Sequence, residues 1–109
     1  MNIDHEKVRR ESLRWLLILA LNNSRPVRAH ESLLLMTAQG IYHDANANEI
    51  RRELSYLEER KLVDIERNPG GFWLSNLTAA GVDIAEYTVE CRAGIARPTK
   101  YWAATNATH

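Results

Sequence analysis

The sequence lacks multiple cysteines, a long apolar run and a basic N-terminal segment, which are features of disulfide-bonded, membrane-spanning and secreted proteins. Its single cysteine, Cys91, cannot form a disulfide within the chain, which is typical of a reducing, cytoplasmic setting. The longest uninterrupted apolar run covers only seven residues, 15–21, so the sequence predicts no membrane-spanning helix. Residues 1–6 are mostly polar and acidic, whereas a secretory signal begins with basic residues. We therefore expect a cytoplasmic protein.

Motifs of the common enzyme classes are also absent from the sequence. There is no glycine-rich phosphate-binding loop, no Gly-x-Ser-x-Gly nucleophile turn and no His-Glu-x-x-His zinc motif. The carboxylates of Glu58 and Glu59 occupy adjacent helix positions, so they point apart and cannot share a proton. We expect neither catalysis nor a cofactor.

Residues that could bind a metal are scattered along the chain. None of them has the Cys-x-x-Cys or His-x-x-x-His spacing of a metal site, so the sequence predicts no metal. This spacing disfavours a metal-sensing function. The residues concerned are Cys91, His5, His30, His43 and His109.

The charge of the chain limits its possible partners. Fourteen basic residues balance fourteen acidic residues, and a net charge of zero disfavours tight, nonspecific binding to nucleic acid. Eleven of the basic residues are arginine, which makes bidentate contacts to phosphate and guanine better than lysine does. The length of 109 residues fits one domain with a modest hydrophobic core.

Helical periodicity predicts two helices in the first part of the chain. Leu13, Leu16, Leu17 and Ala20 recur at the spacing of one buried face, which predicts a first helix over residues 5–21. Its second half is apolar nearly all round, as in a helix that is central to a core or shared with a partner subunit. A second helix is predicted over residues 29–39. Its core candidates are Leu34, Leu35 and Ala38.

The third predicted helix has the strongest local pattern. Asn46 can accept hydrogen bonds from the free amides at the start of this helix, and Glu49, three residues later, completes a capping box. Ile50, Leu54 and Leu57 mark one buried stripe. The opposite side is predicted to present polar side chains, namely Asn48, Arg51, Arg52, Ser55, Tyr56 and Glu59.

A β-hairpin and a fourth helix are predicted to follow. Residues 62–66 include the alternation of a half-buried strand, residues 67–71 are rich in turn-forming types, and a returning strand begins at Phe72. Thr78 can then cap a helix over residues 79–88. Residues 89–109 lack helical periodicity, and we expect an extended, partly flexible C-terminal arm there. The predicted fold is mostly α-helical with a small antiparallel β-hairpin.

Two stretches of the sequence resemble the winged helix-turn-helix regulators. Residues 49–63 are similar to their recognition helix leading into the first strand of the wing. Residues 72–81 are similar to their second wing strand and to the Leu-Thr-x-x-Gly start of the next helix, here Leu77-Thr78-Ala79-Ala80-Gly81. Lys61 stands where such regulators usually have glycine. The whole chain also resembles small winged-helix proteins of Mu-like prophages, including the run Gly94-Ile95-Ala96-Arg97-Pro98.

This resemblance implies a winged-helix domain over residues 1–88, a C-terminal arm over residues 89–109 and binding to double-stranded DNA. The third helix is then expected in the major groove, where Arg51 or Arg52 suits guanine and Asn48 suits adenine. The residues implied to contact bases are Asn48, Arg51, Arg52, Ser55 and Tyr56. Those implied to contact the DNA backbone from the second helix, the wing and the arm are Arg28, His30, Arg67, Asn68, Arg97 and Lys100.

The implied function is that of a prophage transcriptional regulator. A homodimer, formed through the first helix and either the fourth helix or the arm, would present two recognition helices to a pseudo-palindromic DNA site. In such a domain we expect Trp73 to pack in the core rather than to stack on a base.

The residues themselves leave an alternative open. Arg51 and Arg52 can equally be solvated helix residues that pair with neighbouring carboxylates. Glu59, on the same face, would repel phosphate unless it accepts a hydrogen bond from a cytosine amine. A second hypothesis is therefore a winged-helix module that binds another protein and does not bind DNA.

Overall fold

The computed structural model describes residues 3–100, in which four helices and three strands follow one another. They are α1 (His5–Ser24), β1 (Ala29–His30), α2 (Glu31–Gln39), α3 (Ala47–Glu59), β2 (Val63–Arg67), β3 (Trp73–Leu77) and α4 (Ala79–Ala85). The order of the helices and the β2–β3 hairpin agree with the prediction, although α4 ends three residues earlier. The predicted arm beyond residue 100 lies outside the described residues. None of the four helices is long and apolar enough to span a membrane.

The sheet has one strand more than the predicted hairpin. Its strand order is β1-β3-β2, and both pairings with β3 are antiparallel. The hairpin pairs Val63 with Leu77, and β1 adds a pair between Ala29 and Ser75 on the other edge of β3. Two residues are too few to show the alternation of a strand, so β1 depends on its pairing with β3. The predicted start of the second helix at residue 29 is wrong, because residues 29 and 30 form β1 and α2 begins at Glu31.

The hydrophobic core joins the helices to the sheet. Each fully buried leucine, isoleucine or valine side chain contributes about 1.5–3 kcal/mol to the stability of the fold. The predicted buried stripe of α3 is confirmed, whereas Leu16, Ala20 and Leu35 are only half-buried and pack against the core. The largest fully buried apolar side chains of the helices are Leu13, Leu17, Ile18, Leu21, Leu34, Ile50, Leu54 and Leu57.

The predicted N-terminal caps of α3 and α4 are present. The Asn46 side chain accepts a hydrogen bond from the amide of Glu49 at 3.0 Å, and the Thr78 side chain accepts one from the amide of Gly81 at 3.1 Å. The carboxylate of Glu49 does not complete the predicted capping box. Instead it accepts two hydrogen bonds from Arg9 of α1, at 2.8 and 2.9 Å, because that guanidinium lies beside the start of α3.

The C-terminus of α3 needs a left-handed residue at Lys61, where the winged-helix regulators that the sequence resembles usually have glycine. The amide of Leu62 donates to the carbonyl of Leu57 and the amide of Lys61 donates to the carbonyl of Glu58, both at 3.0 Å. These two bonds form a Schellman motif, which needs a left-handed residue after the helix. Lys61 adopts that conformation with a φ of 65°. Glycine would adopt it without the steric cost of a Cβ atom.

Gly81 allows α4 to approach the end of α3 closely. A Cβ atom on Gly81 would lie 2.2 Å from the carbonyl oxygen of Leu62. That same oxygen accepts a hydrogen bond from the amide of Thr78 at 3.0 Å, and the Thr78 hydroxyl donates to the carbonyl of Lys61 at 2.8 Å. The Leu-Thr-x-x-Gly run therefore joins the start of α4 to the turn between α3 and β2.

The chain after α4 has no helix or strand up to residue 100, but it is held against the rest of the domain. Ile95 is buried in the core cluster, and the amide of Ala96 donates to the carbonyl of Glu11 in α1 at 3.0 Å. The carbonyl of Gly94 accepts a hydrogen bond from Arg14 of α1 at 2.9 Å. These contacts tie residues 94–96 to α1. The division of the chain at residue 88 stays a prediction.

The close approach at Gly81 generates a prediction. We expect Gly81→Ala to lower the free energy of unfolding by about 1–3 kcal/mol, because α4 must move away from the Leu62 carbonyl. Gly40→Ala is the matched control, since Gly40 has a right-handed backbone with a φ of −65°. Urea denaturation followed by circular dichroism measures both variants. An unchanged midpoint for Gly81→Ala would contradict the close approach.

Candidate nucleic-acid interface

The outward face of α3 presents three of the side chains that were predicted to contact bases. Asn48 and Arg52 are exposed and Ser55 is half-buried, on the side of the helix away from the buried stripe. The Arg52 side chain is 64% exposed, and its Nε donates to the carboxylate of Glu53 at 3.1 Å. Glu59 is exposed on the same face, as predicted. This face therefore offers an amide, a guanidinium, a hydroxyl and a carboxylate to a partner.

Arg51 lies on the side of α3 that faces α2 and the hairpin. Its Nε and Nη2 donate to the two carboxylate oxygens of Glu31 at 2.7 and 2.6 Å, and Nη2 also donates to the carbonyl of Gly71 at 2.6 Å. The Glu31 carboxylate also accepts from the amide of Trp73 at 2.6 Å. Glu31 thereby joins α2, α3 and β3. The hydrogen bonds from Arg51 lower the pKa of Glu31, and the Glu31 carboxylate raises the pKa of Arg51.

Arg67 of the hairpin is also held by a carboxylate of the same chain. Its two terminal nitrogens donate to Glu58 of α3 at 3.0 and 2.9 Å, and this bidentate contact lowers the pKa of Glu58. The guanidinium groups of Arg67 and Arg51 lie 4.5 and 4.7 Å from the ring centroid of Trp73. Trp73 is half-buried and packs against the core, and both of these guanidinium groups lie over its ring.

The predicted backbone-contacting residues near α2 and the hairpin loop also have partners within the chain. Arg28 forms an ion pair with Glu66 of β2. The His30 Nδ1 accepts a hydrogen bond from the amide of Ser32 at 3.0 Å, so His30 is the N-cap of α2. The Asn68 side chain accepts from the amide of Gly70 at 2.8 Å and thereby shapes the loop between β2 and β3.

Tyr56 points to α1 and the C-terminal segment rather than to the outward face of α3. The Arg14 guanidinium lies 3.5 Å from its ring centroid, and a Cβ atom on Gly94 would lie 2.2 Å from its hydroxyl. Glu53, which is only 1% exposed, binds Arg14 at 2.7 Å and Arg52 at 3.1 Å. The Tyr56 side chain therefore packs against residues of α1 and the C-terminal segment and does not lie on the outward face of α3.

Arg97 and Lys100 lie at the end of α4, apart from the other predicted contacts on α3. The Arg97 Nη1 donates to the carbonyls of Ile84 and Val89 at 3.1 and 3.0 Å, so this guanidinium caps the C-terminus of α4. The Arg97 guanidinium and the Lys100 Nζ lie 4.3 and 5.8 Å from the ring centroid of Tyr87. The structure thus divides the predicted site into an α3 face, a hairpin group and this separate pair.

Sequence reasoning missed the residues that position or extend the α3 face. Glu31 is 20 residues from Arg51 in sequence, and no local pattern connects the two. Arg10, Arg60 and Arg92 come from α1, the end of α3 and the segment after α4, and they were not singled out. Arg10 lines a groove together with Arg52, and Arg92 contacts Arg60, which becomes visible only when these elements are packed together.

No metal site is evident in the described part of the chain. Among residues 3–100 there is no group of three or more histidine, cysteine, aspartate and glutamate side chains that could hold a metal ion. Burial raises the pKa of the Cys91 thiol, which lowers the fraction of reactive thiolate at neutral pH. His109 lies outside the described residues.

The fold is similar to that of a solved protein. The crystal structure of a candidate DNA-binding protein from Ralstonia eutropha matches with a TM-score of 0.60 and 18% sequence identity, over 82% of this chain and 100% of that chain. At this identity the likeness concerns the fold alone. The sequence matches no protein-family model and no curated protein. Four helices with a three-stranded antiparallel sheet in this order are compatible with a winged helix.

The Glu31–Arg51 pair generates a prediction about pH. Because the pKa of Glu31 is lowered in the fold, its contribution to stability is complete above the ordinary pKa of 4.5 and is lost as the pH falls through the lowered pKa. At pH 7, Glu31→Gln should lower the free energy of unfolding by roughly 1.5–3 kcal/mol, the usual contribution of hydrogen bonds to charged groups.

Urea denaturation between neutral and acidic pH tests this expectation. The difference in stability between the wild type and Glu31→Gln should shrink as the pH is lowered below 4.5, the ordinary pKa of Glu31. Glu90→Gln is the control, because Glu90 is exposed and lies outside this network. A difference that stays constant across the pH range would exclude a contribution from the ionised Glu31 carboxylate.

Proposed function

We propose that this protein is a winged-helix domain that binds double-stranded DNA in a sequence-specific manner and acts as a transcriptional regulator. In this proposal α3 is the recognition helix and the β2–β3 hairpin is the wing. The order of the elements and the resemblance in residues 49–63 and 72–81 support the winged-helix assignment. The Ralstonia eutropha protein of similar fold is described as a candidate DNA-binding protein, which is consistent with this function.

The outward face of α3 is the observation that carries the proposal. Asn48, Arg52 and Ser55 lie away from the buried stripe, and these side chains offer the donors and acceptors that match base edges in the major groove. An amide suits adenine and a guanidinium suits guanine, while a hydroxyl can contact either base. Glu59, on the same face, fits a cytosine amine and disfavours other bases, so it adds selectivity at a cost in affinity.

Arg52, rather than Arg51, is the arginine that we assign to guanine. Arg51 already donates from Nε and Nη2 to Glu31 and to the Gly71 carbonyl, so contact with DNA would require these bonds to break. Arg52 uses only Nε, in a bond to the buried Glu53, and its two terminal nitrogens have no hydrogen-bond partner within residues 3–100. The bond to Glu53 also restricts the side chain, which lowers the entropy lost on binding.

The regulator is proposed to act as a homodimer on a pseudo-palindromic site, as the resemblance to prophage proteins suggests. Leu16 and Leu19 of α1 are only partly buried within one chain, which leaves apolar area for a partner subunit. Two recognition helices related by a two-fold axis would contact half-sites about one helical turn apart. We propose no catalytic activity and no cofactor.

A protein-binding module is the second candidate function. Exposed apolar side chains favour it, since Leu33 and Met36 of α2 and Ile41 just after α2 are 48%, 68% and 59% exposed. The neutral net charge also agrees with a protein partner. This alternative predicts no salt-dependent affinity for DNA.

Selection of bound duplexes from a randomised pool, followed by affinity measurement on the enriched site, tests the DNA proposal. We expect Arg52→Ala to weaken binding to that site by about 5- to 150-fold, which corresponds to the 1–3 kcal/mol of a bidentate base contact. Lys7→Ala removes the same charge from an exposed position in α1 and should have little effect. Equal losses for the two variants, or no enriched site at all, would contradict sequence-specific binding by α3.

A further inference from the structure

The two sides of α3 differ in whether their arginines are already paired with carboxylates. We propose that Arg10, Arg60 and Arg92, on the side of α1 and the C-terminal segment, form a band beside Arg52 that binds the phosphates of DNA. The hairpin side, where the sequence predicted such contacts, does not bind them. This inference rests on the proposed DNA-binding function and concerns which side of α3 contacts the backbone.

On the hairpin side each predicted contact arginine has a carboxylate partner. Arg51 binds Glu31, Arg67 binds Glu58 and Arg28 binds Glu66. A phosphate that contacts one of these arginines must either displace its carboxylate or lie close to it. In both cases the carboxylate repels the phosphate. The gain from such a contact is therefore small.

The opposite side has arginines without such partners. Within residues 3–100, Arg10, Arg60 and Arg92 form no ion pair, and Arg52 shares the buried Glu53 with Arg14. Arg60 and Arg92 are exposed, so DNA phosphates can reach their guanidinium groups, and each contact would release counterions condensed on the DNA.

Contacts within the fold connect these arginines into one band. Arg10 and Arg52 line the same surface groove between α1 and α3, and Tyr56 lines it as well. The Arg60 guanidinium lies 4.5 Å from the Tyr56 ring centroid, and the Arg92 Nη1 donates to the carbonyl of Arg60 at 3.3 Å. The band therefore runs from α1 across α3 to the segment after α4.

The chemistry of the band fits a polyanion better than a single small anion. Its arginines come from α1, the end of α3 and the segment after α4, which suits a series of phosphates along a backbone. Glu59 also lines the groove and is exposed, so this carboxylate weakens phosphate binding at that part of the band. Arg52 stands where the band meets the outward face of α3, so contacts to bases and to the backbone would be continuous.

Matched double variants test this assignment by fluorescence anisotropy with a labelled, mixed-sequence DNA duplex over a range of salt concentrations. Arg60→Gln with Arg92→Gln removes two charges from the band. Arg28→Gln with Arg67→Gln removes two charges from the hairpin side, where both side chains are about equally exposed, at 49% and 47%. Circular dichroism and thermal unfolding verify that both proteins remain folded.

We expect the band variant to bind more weakly and to reduce the slope of log affinity against log salt by about 1.8, or 0.9 for each lost phosphate contact. The hairpin variant should keep the slope of the wild type. The reverse pattern, or equal reductions in both variants, would overturn the inference and leave the proposed function intact. A wild-type protein without salt-dependent binding to duplex DNA would overturn both.

Discussion

The Glu31 carboxylate is the group on which the arrangement around α3 depends. It accepts hydrogen bonds from Arg51 of α3 and from the amide of Trp73 in β3, while its own backbone begins α2. One half-buried side chain thus holds two helices and the hairpin together. Charge-assisted bonds of this kind are stronger than neutral ones and are directional. They place the hairpin beside α3 and also neutralise Arg51, which leaves Arg52 as the exposed arginine in the middle of the helix.

The neutral net charge of the chain hides an uneven distribution of paired and unpaired arginines. On the hairpin side, ion pairs join elements that are distant in sequence, such as α3 with β2 through Glu58 and Arg67. On the other side, Glu53 is buried and is shared between Arg14 and Arg52, so the arginines there exceed their close carboxylates. A domain of this kind attracts polyanions weakly at long range, because its total charge is zero, but can bind them on one surface.

Local patterns predicted the helices because their causes are local. The stripe of Ile50, Leu54 and Leu57, the caps at Asn46 and Thr78 and the glycine-rich turn after Arg67 each act within a few residues. β1 was missed because two residues have no pattern of their own and form a strand only beside β3. The sequence could not show which of the predicted contact residues are paired within the chain, since a polar residue carries no sign of the partner that it finds in space. Their contacts with DNA stay a prediction.

The sequence by itself determined the order of the elements, the buried stripe of α3 and the polar residues on the opposite side, because hydrophobic periodicity and capping depend on neighbours along the chain. Only the tertiary structure decided which of those polar residues are available to a partner. Arg51 and Tyr56 lie against Glu31 and Gly94, whereas Arg52 stays exposed. The reason is that ion pairs and close packing join residues 20 to 40 positions apart, and a single sequence records no such distances.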